Sequence, residues 1–207
     1  MKLLFIGDSI TDMCRDYERH NPYNMGFGYV FLIEAALSKR YPGKYDVINR
    51  GISGNRIVDV YQRIKMDCWN LEPDMITILI GTNDVWHEVM RSNGVEKDRF
   101  ERFYDMLIED TRKALPNVKI SVMGAFLLEG TATTEQMDRL SEIKDYAKIA
   151  KAVAERHNCP YIELQAQFDK AAQNVSPEYY LFDGIHPTVA GAQIIADQWL
   201  EHFEQIK

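Results

Sequence analysis

The chain has 207 residues, 46% of them hydrophobic, an ordinary balance for a globular protein and enough for one domain of three layers spanning residues 1–207. Twenty-four Lys and Arg against 31 Asp and Glu leave a net charge of −7. That balance argues against a nucleic-acid or anionic-membrane surface and suits a neutral or cationic small molecule, or a glycan. No apolar run approaches the roughly 20 residues that span a bilayer, and the N-terminus lacks a signal-peptide core, so a cytoplasmic location is expected. Cys14, Cys68 and Cys159 are isolated, with no Cys-x-x-Cys spacing, and read as structural residues of a reducing compartment.

Short apolar runs at 3–6, 45–48, 75–80, 118–123 and 161–164 have strand length, and most are rich in Ile, Val or Tyr. Helical spacing lies between them. Ile57, Val60, Tyr61 and Ile64 follow i, i+3, i+4, i+7, and Phe100, Phe103, Tyr104, Leu107 and Thr111 extend the rule over three turns. A long polar-faced helix is expected over about residues 134–157, and a last one carries Ala192, Ile195, Ala196, Trp199 and Phe203. Strands alternating with helices predict an α/β fold: a three-layer α/β/α sandwich around a five-stranded parallel sheet of flavodoxin-like type, order 2-1-3-4-5.

That order makes neighbours of the loops after strands 1, 2 and 3. The first holds Gly7-Asp8-Ser9, the second Asn49-Arg50-Gly51-Ile52-Ser53-Gly54-Asn55, the third Gly81-Thr82-Asn83-Asp84. Ser9 stands where such sheets gather their chemistry, but a serine hydroxyl needs a base and an oxyanion site to act as a nucleophile. The N–H groups of Ser9 and Gly54 and the Asn83 amide are suitable donors for an oxyanion. Read singly, Gly51 and Gly54 only end a strand and Asn83 only stabilises a turn.

Of five histidines (His20, His87, His157, His186 and His202), only His186 lies in an Asp-x-x-His-Pro context, Asp183 to Pro187. Asp183 is placed to bond one ring nitrogen, which leaves the other free to take the serine proton. Pro187 suits the first turn of a following helix, which would fix His186 at a rigid helix start. The pair alone also fits a capped turn or a metal site, but no second cluster at ligand spacing stands near it, so no metal and no cofactor are expected.

Gly7-Asp8-Ser9-Ile10, Gly54, Gly81-Thr82-Asn83-Asp84 and Asp183-x-x-His186 resemble, in order, the four blocks of the SGNH hydrolases, the GDSL esterase/lipase superfamily. The resemblance runs over nearly the whole chain. It implies Ser9 as nucleophile, His186 as base, Asp183 as orienting acid, and an oxyanion hole of Ser9, Gly54 and Asn83. Leu3 to Asp12, Gly26 to Val30, Gly51 to Asn55 and Asn83 to Trp86 are further similar to the intracellular acetylxylan esterases of that superfamily. This narrower resemblance implies a serine esterase that removes acetyl groups from carbohydrate such as xylo-oligosaccharides, and it implies homo-oligomers. The alternatives are a lipase, lysophospholipase or thioesterase with the same residues, a sugar O-acyltransferase, and, least favoured, a non-catalytic binding module.

Around this centre, Trp86 suits either a sugar face or packing of its loop. Arg56 suits either substrate or a surface carboxylate. Phe182 and Ile185 flank the Asp–His pair and are placed to wall a small acyl pocket. Asp8 and Asp84 read as loop-stabilising carboxylates. Residues 11–27, with Met13, Tyr17 and Phe27, are a candidate rim or lid.

Overall fold

The structure is a computed structural model that describes residues 1–17 and 25–206. Five parallel strands form its centre: β1 (Lys2–Gly7), β2 (Asp46–Gly51), β3 (Met75–Leu79), β4 (Lys119–Met123) and β5 (Tyr161–Ile162), in the order β2-β1-β3-β4-β5. The predicted order is the observed one. Leu4 pairs with Ile48 on one side and Ile76 on the other, so β1 is central. All five residues of β3 are buried, as expected for a strand covered on both faces.

Helices cover both faces. After β1 come a single turn, α1 (Ser9–Asp12), and α2 (Tyr29–Arg40). Then follow α3 (Ile57–Asp67), α4 (Thr82–Arg91), α5 (Lys97–Ala114), α6 (Met137–Leu140), α7 (Ile143–Arg156), α8 (Gln165–Ala171) and α9 (Val189–Ile206). Helix α5 packs between α3 and α7, and α2 packs on α9. Each long helix buries the stripe that its sequence period marks: Ile57, Val60 and Ile64 in α3, and Phe100, Tyr104, Leu107, Ile108 and Thr111 in α5. In α9 the stripe includes Trp199, whose ring lies 5.1 Å from Phe5 and whose indole N–H donates to Thr77 Oγ1 at 2.9 Å.

The structure corrects several expected boundaries. β2 runs to Gly51, so Asn49, Arg50 and Gly51 are strand rather than loop. The Asn49 amide is satisfied by the carbonyls of Thr11 and Met25 at 2.7 and 2.8 Å, which lets a polar residue sit in a buried strand. β5 is only two residues long. The long helix over 134–157 is instead a 3₁₀ turn (Thr134–Gln136), α6 and α7, parted at Ser141 and Glu142. There the Ser141 hydroxyl donates to the Asp138 carbonyl, a local bond that competes with the helical ladder.

Candidate active site

The carboxyl ends of β1, β2 and β3 bring three short segments together, and the turn before α9 reaches them from the far end of the chain. Ser9 is the first residue of α1, and the Asp8 carboxylate caps that turn by accepting the Ile10 N–H at 3.0 Å. As a first-turn residue, Ser9 carries one of the N–H groups that a helical turn cannot satisfy itself. Its side chain is half-buried, and Ser9 Oγ lies 2.9 Å from His186 Nε2.

His186 Nδ1 lies 2.7 Å from Asp183 Oδ2, while Asp183 Oδ1 accepts the backbone N–H groups of Ile185 and His186 at 2.9 and 2.8 Å. A carboxylate only accepts, so neutral His186 carries its proton on Nδ1 and leaves Nε2 to accept from Ser9. The hydrogen bond with Asp183 raises the His186 pKa above its ordinary 6.5, against burial, which lowers it. Burial pushes Asp183 up, but its bonds from the His186 ring and the two backbone donors prevail and hold it below the usual 3.8.

The Asp183–His186 segment is fixed as a tight turn. Phe182 N–H donates to the His186 carbonyl at 3.0 Å, and Leu181 and Pro187 form an antiparallel bridge. The buried stretch after β4 clasps the turn from outside, with Leu128 N–H on Gly184 O and Ala132 N–H on Asp183 O, both at 2.9 Å. Pro187 therefore precedes α9 rather than starting it. The helix is capped by Thr188, whose Oγ1 accepts the Gly191 N–H at 3.3 Å.

Gly54 sits in a turn closed by Asn55 N–H on Ile52 O at 3.2 Å, with φ of +81°. That backbone region penalises any Cβ, so the turn demands glycine although space beside it is open. Asn83 lies in the first turn of α4, buried, with one Nδ2 hydrogen donated to the Asn55 carbonyl at 3.2 Å. An amide nitrogen has two hydrogens, so this bond orients the group and leaves the second available. Asp84 accepts the Ile57 N–H at 3.0 Å, which ties the start of α4 to the start of α3. Burial pushes the Asp84 carboxyl up to about 8 and the Asp8 carboxyl to about 6.

The structure brings Ser9, His186 and Asp183 into one hydrogen-bonded chain. The other named residues fall as follows. Trp86 is on α4 rather than on a loop, half-buried against the core. Arg56 bonds both oxygens of Asp59, at 2.9 and 3.1 Å, and the Asn93 carbonyl at 2.8 Å. Phe182 is 54% exposed and stacks on the His186 ring, with centroids 5.7 Å apart and planes at 21°. Ile185, the residue before His186, is buried. In the candidate rim, Met13 is buried and Tyr17 and Phe27 are exposed, whereas residues 18–24, with His20, lie outside the described residues. Asp12 and Ser53 carry contacts to this site that no spacing in the sequence announced, because the two meet only through β1–β2 pairing.

Among the described residues no group of three or more His, Cys, Asp or Glu gathers to hold a metal ion. Nor is any described helix long and apolar enough to cross a membrane. A surface groove of about 700 Å³ follows α3 and meets this site only at Asn55.

Residues 5–194 match the model of the GDSL-like Lipase/Acylhydrolase family. An acetylxylan esterase from Geobacillus stearothermophilus is 35% identical over 216 residues, covering 100% of this chain and 96% of the relative. Among solved structures, an alpha/beta hydrolase enzyme from the metagenome of Lake Arreo superposes with a TM-score of 0.88 at 31% identity, covering 100% of this chain and 96% of the other. The structure of Axe2, an acetylxylan esterase from Geobacillus stearothermophilus, superposes with a TM-score of 0.87 at 33% identity, covering 97% and 92%. Two variants described as catalytic mutants of Axe2 replace a serine and a histidine by alanine.

Proposed function

This chain belongs to the GDSL-like lipase/acylhydrolase family, and on that premise we propose that it is a serine esterase that removes acetyl groups from the hydroxyls of a small saccharide. The observation that carries the esterase reading is the hydrogen-bonded chain from Ser9 Oγ through His186 to Asp183. The acetyl and saccharide reading is supported by likeness to the acetylxylan esterase over the whole chain.

In this reading Ser9 Oγ attacks the ester carbonyl carbon while His186 Nε2 takes its proton. The carbonyl oxygen gains the electron pair and is met by Ser9 N–H, Gly54 N–H and the free Asn83 Nδ2 hydrogen. Collapse of this intermediate breaks the ester C–O bond, and the sugar oxygen leaves with the proton from His186. Water then attacks the acyl-serine, giving its proton to His186. Ser9 recovers that proton as acetic acid departs, which then ionises in solution. Asp183 holds the Nδ1–H tautomer and steadies the imidazolium in both halves. The chemistry asks for no metal or cofactor.

Phe182 and Ile185 are the walls we assign to the acyl side, since both stand next to the base. Arg56 and Trp86 are assigned to substrate only indirectly. Arg56 shapes the loop after Gly54 through Asp59, and Trp86 backs the helix that carries Asn83.

A series of 4-nitrophenyl esters from acetate to decanoate, run beside acetylated xylo-oligosaccharides, tests this. We expect kcat/KM to be highest at acetate and to fall at least tenfold by octanoate. Ser9→Ala, still folded, is expected to lose turnover on every member. A maximum at long chains would point to a lipase or thioesterase. Full turnover by Ser9→Ala would remove the mechanism itself.

A further inference from the structure

Asp12 closes the helical turn that opens with Ser9, and only 2% of its surface is exposed. Both carboxylate oxygens are used, and in two directions. Oδ1 accepts the Arg15 N–H at 3.1 Å, a bond within its own segment. Oδ2 accepts the Ser53 N–H at 3.0 Å and the Ser53 hydroxyl at 2.7 Å, and it also accepts the Tyr17 hydroxyl. Ser53 immediately precedes Gly54.

The same two segments meet at three other points. Asn49 Nδ2 donates to the Thr11 carbonyl at 2.7 Å, and Arg15 Nε donates to the Gly51 carbonyl at 2.6 Å. A Cβ on Gly51 would lie 2.2 Å from the Asp12 nitrogen, so only a bare backbone lets the turn rest on the end of β2. The turn that carries the nucleophile and the loop that carries Gly54 are thus built as one unit, although 41 residues separate Asp12 from Ser53.

The Gly54 N–H belongs to the rigid peptide plane between Ser53 and Gly54. That plane swings about the flanking bonds of Ser53 and Gly54, and glycine offers little resistance to rotation. Fastening Ser53 at both its N–H and its hydroxyl removes much of that freedom. A donor for a developing oxyanion is effective when it is aimed before the reaction begins.

We infer that Asp12 is a positioning residue for the oxyanion site, locking Ser53 so that the Gly54 N–H stays aimed beside Ser9. This rests on the reading of Gly54 as an oxyanion donor. Tyr17 is the outer part of the same lock: its phenol bonds Asp12 while its ring stacks under the Arg15 guanidinium, 4.3 Å away.

Asp12→Asn is the primary test. An amide has one acceptor where the carboxylate has two, so either Arg15 or Ser53 loses its partner. With 4-nitrophenyl acetate we expect kcat to fall roughly 10- to 100-fold with KM changed less than twofold, because the lost interaction forms only in the transition state. Inhibition by methylboronic acid, which forms a tetrahedral adduct with a serine hydroxyl, should weaken by a similar factor. Ser53→Ala and Tyr17→Phe each remove one bond to Asp12 and keep the test open if Asp12→Asn does not fold. Each should cost kcat roughly 2- to 10-fold on the same substrate, again leaving KM in place. Unchanged kcat in the folded variants, or a loss shared equally with KM, would overturn the inference. Asn83→Ala, run in parallel, is expected to cost about 10²–10³ in kcat. If it does so while the Asp12 set stays at full rate, the positioning role fails and the oxyanion reading stands. If Asn83→Ala is also at full rate, the oxyanion reading fails and this inference with it.

Discussion

Only neutral His186 can take a proton from Ser9, so the pH at which the imidazole titrates sets the acid limb of activity. The bond with Asp183 raises that pKa above 6.5, with burial opposing and the nearby Asp8 carboxyl adding to the rise. kcat/KM for 4-nitrophenyl acetate is therefore expected to climb with pH through a midpoint above 6.5. Asp183→Asn puts an NH₂ opposite Nδ1 and favours the tautomer with its proton on Nε2, facing Ser9. That variant should lose on the order of 10³–10⁴ in kcat, with its residual acid limb moved to lower pH. An acid limb at or below 6.5 in the unaltered protein would contradict the pairing. Stability runs the other way. A raised histidine stabilises the fold below its unfolded value of about 6.5, and that contribution is lost as pH rises through the folded value. Asp183, held low, contributes above its ordinary value and loses that contribution as pH falls through its depressed one. The protonated state that adds stability at His186 is the one that cannot take the proton from Ser9.

At the scale of elements, the sheet order was legible because strand and helix patterns alternate from β1 to α9 and the apolar runs fall where the strands are. The ends of elements were less so. Asn49 and Arg50 look like loop residues, and Asn49 is tolerated in β2 because its Nδ2 donates to the carbonyls of Thr11 and Met25 and its Oδ1 accepts the Gly51 N–H. The break between α6 and α7 follows from a side-chain bond at Ser141 that a hydrophobic period does not register. In the candidate site the chain of Ser9, His186 and Asp183 was legible, because Ser9 follows the first strand and Asp183 and His186 share a short motif. Asp12 and Ser53 were not, since their contact depends on strand register. One inter-element bond invites a direct measurement. Trp199 on α9 is fully buried, and its indole N–H has Thr77 Oγ1 on β3 as its hydrogen-bond partner. Thr77→Val keeps the shape and removes the acceptor, leaving a buried donor unsatisfied. Unfolding in urea should show a loss of about 1–3 kcal/mol with an unchanged slope. A loss below about 0.5 kcal/mol would mean that the indole finds another partner or that the bond contributes little.

For the molecule as a whole, the net charge of −7 bears on which esters reach Ser9 rather than on how they react. At the site itself Asp183 stands against His186, and the guanidiniums of Arg56 and Arg63 are engaged by Asp59 and Asp67. A neutral acetylated sugar meets no barrier in such a field, whereas an ester carrying its own carboxylate is repelled on approach. Surface electrostatics of this kind acts over about a Debye length, roughly 10 Å at 0.1 M salt, and fades as salt rises. 4-Nitrophenyl acetate and 4-nitrophenyl succinate differ in acyl charge, and their comparison at 20 and 300 mM NaCl isolates the effect. For the acetate, kcat/KM should be flat within about 1.5-fold. For the succinate it should start lower and rise about two- to fivefold with salt, because screening lifts the repulsion while the chemical step is unchanged. A succinate rate that falls with salt would mean that a cationic patch, not the acidic surface, governs entry to the site.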